Sequence, residues 1–109
     1  MTQGSTIFSL EKVQKAIDYI EENLLSDISP DTVASYFFVS VPTLATAFKV
    51  VCGMTITEYV RNRRLSLAGE ELRDSGSSII ALAYKYGYET PEAFTKAFSR
   101  FHGFPPSFV

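Results

Sequence analysis

The chain has 109 residues, 46% of them hydrophobic and 14% aromatic, enough for one domain with a core and too few for two large ones. Its formal charge of −2 and sequence pI near 5.3 lack the basic footprint usual in nucleic-acid binders. Cys52, the sole cysteine, excludes an internal disulfide and a thiolate zinc cluster.

The opening MTQGSTIF has neither a basic start nor an apolar core, and no run approaches the length of a membrane span, so a soluble, unexported protein in a reducing cytoplasm is expected. Apolar residues then recur at intervals of three and four, which predicts helices and no strand. The first helix is expected over about Leu10 to Leu25, burying Leu10, Val13, Ile17, Ile20 and Leu24. Ser29 caps a second that begins at Pro30. Ser40 caps a third over about Val41 to Cys52, which Gly53 ends. Thr55 and Glu58 form a capping box for a fourth, reaching Arg73 before DSGSS breaks it. A fifth runs from about Ser78 to Tyr86 and closes at Gly87. Thr90 caps a sixth, whose apolar stripe is Phe94, Ala97, Phe98 and Phe101.

The third and sixth helices repeat at an offset of fifty residues: Leu44, Ala47, Phe48 and Gly53 match Phe94, Ala97, Phe98 and Gly103. Each follows a short helix carrying Val33-Ala34 or Leu82-Ala83 and a tight turn, which is the helix-turn-helix plan twice over. The outward positions of the third helix, Pro42, Ala45, Thr46 and Lys49, are twins of Glu92, Thr95, Lys96 and Ser99 in the sixth. On the fourth helix Ile56, Tyr59, Val60 and Leu67 lie on one side, with Leu65, Ala68 and Leu72 roughly opposite, so it is expected to serve two small cores. The fold class is therefore all-α, with six to seven helices forming two homeodomain-like helix-turn-helix subdomains joined by a long connector. The expected divisions are residues 8–54, 55–75 and 76–109. Charge divides unevenly: residues 1–54 carry three lysines against six acids, net −3, and residues 55–109 carry seven bases against six acids, net +1. The second half is better suited to meet phosphate.

VASYFFVSVPTLATAF, GMTITEYVRNRRLSLAGEELRDS and YKYGYETPEAFTKAFSRFHGFPPSF together resemble the DNA-binding domain of AraC/XylS-type transcriptional regulators over residues 8–109. The resemblance implies double-stranded promoter DNA as partner, contacted by two recognition helices in successive major grooves, and a bacterial regulator of transcription. RNA polymerase and a companion effector-binding domain are further partners it admits. YGYETPEAFTKAF is most similar to members whose DNA-binding half comes first, so an effector domain absent from this chain is expected to follow; the chain stops at PPSFV, where the family usually continues into an aromatic-basic ending. As both helix-turn-helix units lie on one chain, the isolated domain is expected to be monomeric, with no cofactor, metal or membrane.

Five positions depart from the family's pattern. Phe38 stands where glycine often permits a left-handed turn, so the first turn is expected to differ in shape from the second. Pro42, Ala45 and Thr46 replace the arginine and glutamine common in relatives, leaving thymine methyls and hydroxyl contacts as the means of reading. Glu92 repels phosphate and can accept only from a cytosine amino group or organise a neighbour.

The candidate DNA-binding residues are Pro42, Thr43, Ala45, Thr46 and Lys49 in the first unit, with Thr90, Pro91, Glu92, Thr95, Lys96, Ser99 and Arg100 in the second. Taken alone, the second set reads first as a solvated helix face, a reading that the repeat and the resemblance reverse, while the first set reads equally either way. Arg61, Arg63 and Arg64 read as structural; Arg64 precedes Leu65 as in the family's Arg-Leu pair, and the resemblance implies a helix-bridging ion pair there. His102 and Cys52 have no partner constellation for catalysis or metal binding, so no enzyme is indicated. Tyr36, Phe37 and Phe38 exceed what one short helix can bury, and read either as local packing or as a dock for a companion domain. Two functions stay open: sequence-specific DNA binding, and a degenerate helix-turn-helix domain kept as a protein-interaction module.

Overall fold

A computed structural model describes residues 10–109; residues 8 and 9, at the start of the expected first subdomain, lie outside the described residues. In chain order the elements are α1 (Leu10–Glu22), α2 (Pro30–Tyr36), α3 (Val41–Cys52), α4 (Ile56–Ser75), α5 (Ile79–Lys85), α6 (Pro91–His102) and a terminal 3₁₀ turn (Pro106–Phe108). No strand occurs among the described residues, and no single helix there is long and apolar enough to cross a membrane. Side chains set the helix starts by taking up orphan amide donors. Ser40 Oγ accepts from the Thr43 amide, Ser78 Oγ from Ala81 and Thr90 Oγ1 from Ala93. Thr55 and Glu58 exchange hydrogen bonds of 3.0 and 3.1 Å, and Ser29 and Thr32 form a second reciprocal box.

The chain divides into two compact units that meet between Val60 and Arg61, inside α4. The first is cored by Val13, Ala16 and Ile20 of α1, Leu24 of the turn that follows it, Val33 and Ala34 of α2, Leu44 and Phe48 of α3, and Ile56 and Val60 at the start of α4. Tyr59 sits edge-on to Phe48 at 5.7 Å, and its hydroxyl donates to Glu21 Oε2 at 2.7 Å, tying α4 to α1. The first helix is shorter than its periodicity suggests. It stops at Glu22, the Asn23 amide side chain donates to the Tyr19 carbonyl at 2.7 Å, and Leu24 is buried from the following turn. Leu10 is 71% exposed and Ile17 half-buried, so the buried stripe is narrower at both places than expected.

The second unit is cored by Leu65, Ala68, Leu82, Ala83, Tyr86, Phe94 and Phe98. Leu67, expected on the side of Ile56, Tyr59 and Val60, packs against this cluster. Seven residues past Val60 it is about 10 Å further along the axis, and that axial displacement outweighs its angular position. Phe101 is 41% exposed, against the expectation that it completes the buried stripe. His102 takes that place: its ring lies 4.0 Å from Phe98, its Nε2 is 2.9 Å from the Leu65 carbonyl, and it covers Gly69, where a Cβ would stand only 2.9 Å from the imidazole Cε1. Glu71 of α4 accepts from Lys85 Nζ and from the Tyr86 hydroxyl, each at 2.8 Å. Those two donors hold the Glu71 carboxyl below its ordinary range, while burial, then the carboxylate beside it, pushes the Tyr86 phenol up to about 12.

Candidate nucleic-acid interface

Each unit presents a helix through the same local device. A short helix ends in a left-handed residue, and its chain then turns into a capped helix. In the second unit that residue is Gly87, φ 92°; in the first it is Phe38, φ 56°. The hydrogen bonds around the two turns match. The Phe37, Phe38 and Val39 amides donate to Val33, Ser35 and Ala34 carbonyls, and Tyr86, Gly87 and Tyr88 donate to Leu82, Tyr84 and Ala83. The first turn therefore keeps the left-handed step despite its missing glycine. The paired hydrogen bonds and buried Val33 and Ala34 over-determine a conformation that costs a non-glycine residue about 1–2 kcal/mol. The second turn is one residue longer, with Glu89 inserted before its Thr90 cap.

On α3, Pro42, Ala45, Thr46 and Lys49 are all exposed and lie on one side, opposite buried Leu44 and Phe48. Thr43 is half-buried at the edge of that face, its hydroxyl accepting from Ser40 Oγ at 2.8 Å. The face is uncharged except at Lys49. On α6, Glu92, Lys96 and Arg100 are exposed, with Thr95 and Ser99 half-buried beside them. Thr90 is committed to the cap and Pro91 to the first turn, which places both at the helix mouth and outside the row formed by Glu92, Lys96 and Ser99. Lys49, Lys96 and Arg100 have no ion-pair partner among the described residues, unlike Lys85 with Glu71 and Arg73 with Asp74. An exposed cation left unpaired keeps its full charge for an outside anion.

The other singled-out residues have local work. Burial raises the pKa of the Cys52 thiol. Tyr36 stacks on Tyr19 at 4.1 Å with Phe37 edge-on to both, yet Tyr36 stays 57% exposed and Phe38 95%.

A family model described as a helix-turn-helix domain matches residues 33–109. The HTH-type transcriptional activator AarP of Providencia stuartii is 30% identical over 102 residues, which span 94% of this chain and 76% of that protein. A transcriptional regulator with an AraC-type DNA-binding domain from Chromobacterium violaceum superposes with TM-score 0.84 at 24% identity, covering 90% of this chain and 88% of the other. The DNA-binding domain of AdpA, determined in complex with a target DNA, superposes with TM-score 0.80 at 22% identity over 88% of this chain and 86% of its own.

Proposed function

The chain belongs to the AraC/XylS-type helix-turn-helix transcriptional regulators, and on that premise we propose that α3 and α6 are its two recognition helices, entering successive major grooves of one asymmetric site. The observation that carries this is the repeated presentation: two helices of identical length, each fixed by a hydroxyl cap and a left-handed turn, each with one face buried and one offered outward. In the second unit Lys96 reads a base edge, with Thr95 and Ser99 supplying hydroxyl contacts and Arg100 reaching a phosphate. Glu92 accepts from a cytosine amino group or orients Lys96. In the first, Ala45 and Pro42 meet thymine methyls, while Thr46 and Lys49 contact base and backbone. The domain acts as a monomer in the cytoplasm, by binding and not by catalysis, and passes its occupancy to RNA polymerase, under the control of a companion effector-binding domain. AdpA's domain, of the same fold, was determined on DNA, which supports the reading.

A second reading, a helix-turn-helix kept for protein contacts, draws on the neutral α3 face and the net −3 of residues 1–54. Salt separates the two. Phosphate contacts release counterions, so DNA affinity should fall steeply between about 50 mM and 200 mM salt. Footprinting and salt-titrated anisotropy on duplexes enriched from a random pool make the test. Protection of about two helical turns without a palindrome is expected; salt-insensitive or absent binding sinks the DNA reading.

A further inference from the structure

Within the second unit, a groove of about 440 Å³ runs between α4 and the later half of α6, lined by Arg61, Asn62, Leu65, Ala97, Arg100 and Phe101. No carboxylate lines it. Arg61 and Arg100 are both exposed, and neither has an ion-pair partner among the described residues. Positive potential extends to its surroundings: Arg61 and Arg64 both act on the Tyr88 phenol, opposing the upward push that burial gives it. Two unpaired guanidiniums on the walls of one groove repel each other, and an anion seated between them removes that cost.

We propose that Arg61 and Arg100 clamp one backbone phosphate of the DNA, with Phe101 against the adjoining deoxyribose. The inference rests on the reading of α6 as a recognition helix and adds a residue from α4 to that interface. Arg100 lies one turn past Lys96, so the cationic row on α6 begins on the outward face and ends at the groove. A helix lying in a major groove has phosphate walls on both flanks, and residues at its edge face them. The guanidinium fork suits bidentate contact with phosphate oxygens. An acidic peptide offers the same charge, but the continuity with the Lys96 row favours DNA.

The experiment measures affinity against salt for the wild-type chain and for Arg61→Gln, Arg100→Gln, the double variant and Arg61→Lys, using short duplexes that the wild type enriches from a random pool. Circular dichroism confirms that each is folded. Loss of one phosphate contact should make the logarithmic salt slope shallower by about 0.9. The double variant should lose no more than either single one, since both hold the same phosphate. Arg61→Lys should restore most of the slope, as a point charge does. A wild type without salt-dependent binding would overturn the recognition reading itself. A steep wild-type slope left unchanged by Arg61→Gln would overturn only the clamp, and binding of a Glu-Leu-rich peptide lost in that variant would reassign the groove to protein.

Discussion

The two helix-turn-helix units share a backbone and differ in what they show to the outside. Their buried twins, Leu44 and Phe48 against Phe94 and Phe98, are equally inaccessible, and α3 and α6 begin and end at matching positions fifty residues apart. Across the repeat, however, Thr46 faces Lys96 and Ala45 faces Thr95. Packing holds the scaffold in common while the outward positions are free to vary, so function in this chain divides where side chains leave the core. On the proposed reading, the second unit carries the charge with which to find DNA, and the first a face that gains only when the groove already fits.

The scaffold half of that comparison breaks if the buried twins are unequal. Phe48→Ala and Phe98→Ala should each cost about 3–5 kcal/mol, since both remove a fully buried ring. Urea denaturation followed by hydrogen exchange of each unit reads the two losses separately. A difference of more than about 2 kcal/mol between them would show that one core tolerates collapse and the other does not.

Gly69 sharpens it on one side, for His102 packs over it among Phe98, Phe101 and Phe104. Alanine in a helix interior usually gains about 0.5–1 kcal/mol over glycine. Here the added methyl meets an imidazole held by the Leu65 carbonyl, so Gly69→Ala should destabilise the second unit by about 1–2 kcal/mol. A raised melting temperature would mean that the ring swings clear at no cost.

The functional half turns on Lys96→Ala, which should weaken specific binding by about 1–3 kcal/mol if Lys96 reads a base. Its twin substitution Thr46→Ala should cost well under that, and Ala45→Arg should strengthen non-specific binding. Scrambling the two halves of a selected site one at a time measures the asymmetry directly. Equal losses would mean that the neutral face of α3 reads bases as well as the charged one, by whatever shape the DNA adopts there.

Much of the scaffold was legible because its signals are local. Ser29, Ser40, Thr55 and Thr90 mark helix starts through contacts three residues long, and the fifty-residue repeat is visible without coordinates. What escaped depends on tertiary position. Leu67 changes cores because of where it stands along α4, and Phe101 yields its buried place to His102 because a backbone carbonyl thirty-seven residues earlier in the chain offers the ring a partner. At the candidate site, outward positions follow from periodicity, but which cations stay unpaired does not. Lys85 reaches Glu71 across fourteen residues, whereas Arg61 finds no such carboxylate.

Titration gives a smaller effect, located in the second unit. The Tyr86 phenol is raised to about 12 in the fold, so the neutral hydroxyl contributes stability that is complete below the ordinary phenol value of about 10 and is lost as pH rises through 12. Glu71, held low, works in the opposite sense: its contribution is present above its ordinary range and fades as acid protonates it. Tyr86→Phe should flatten the alkaline loss of stability in the second unit and leave the first unit's profile unchanged. A loss that persists in the variant would place the alkaline titration elsewhere.

The smallest expected effect comes from the residue in which the two turns differ most. Phe38 is the only described non-glycine residue with positive φ, it is 95% exposed, and its side chain therefore gains almost nothing from the core in exchange for its strain. Replacement by glycine removes about 1–2 kcal/mol of left-handed strain and adds about 0.5–1 kcal/mol of chain entropy to the unfolded state. Phe38→Gly should then stabilise the first unit by about 0.5 kcal/mol and bring its turn to the composition of the second, where Gly87 takes the same step freely. The converse change is not symmetric: a Cβ at Gly87 would stand 3.2 Å from the Arg64 guanidinium, so Gly87→Ala should cost more than Phe38→Gly returns. Thermal melts of both variants decide it. If Phe38→Gly lowers stability, the exposed ring contributes something that packing within the chain does not account for, and the turn of the first unit is then a contact surface as well as a hinge between two helices.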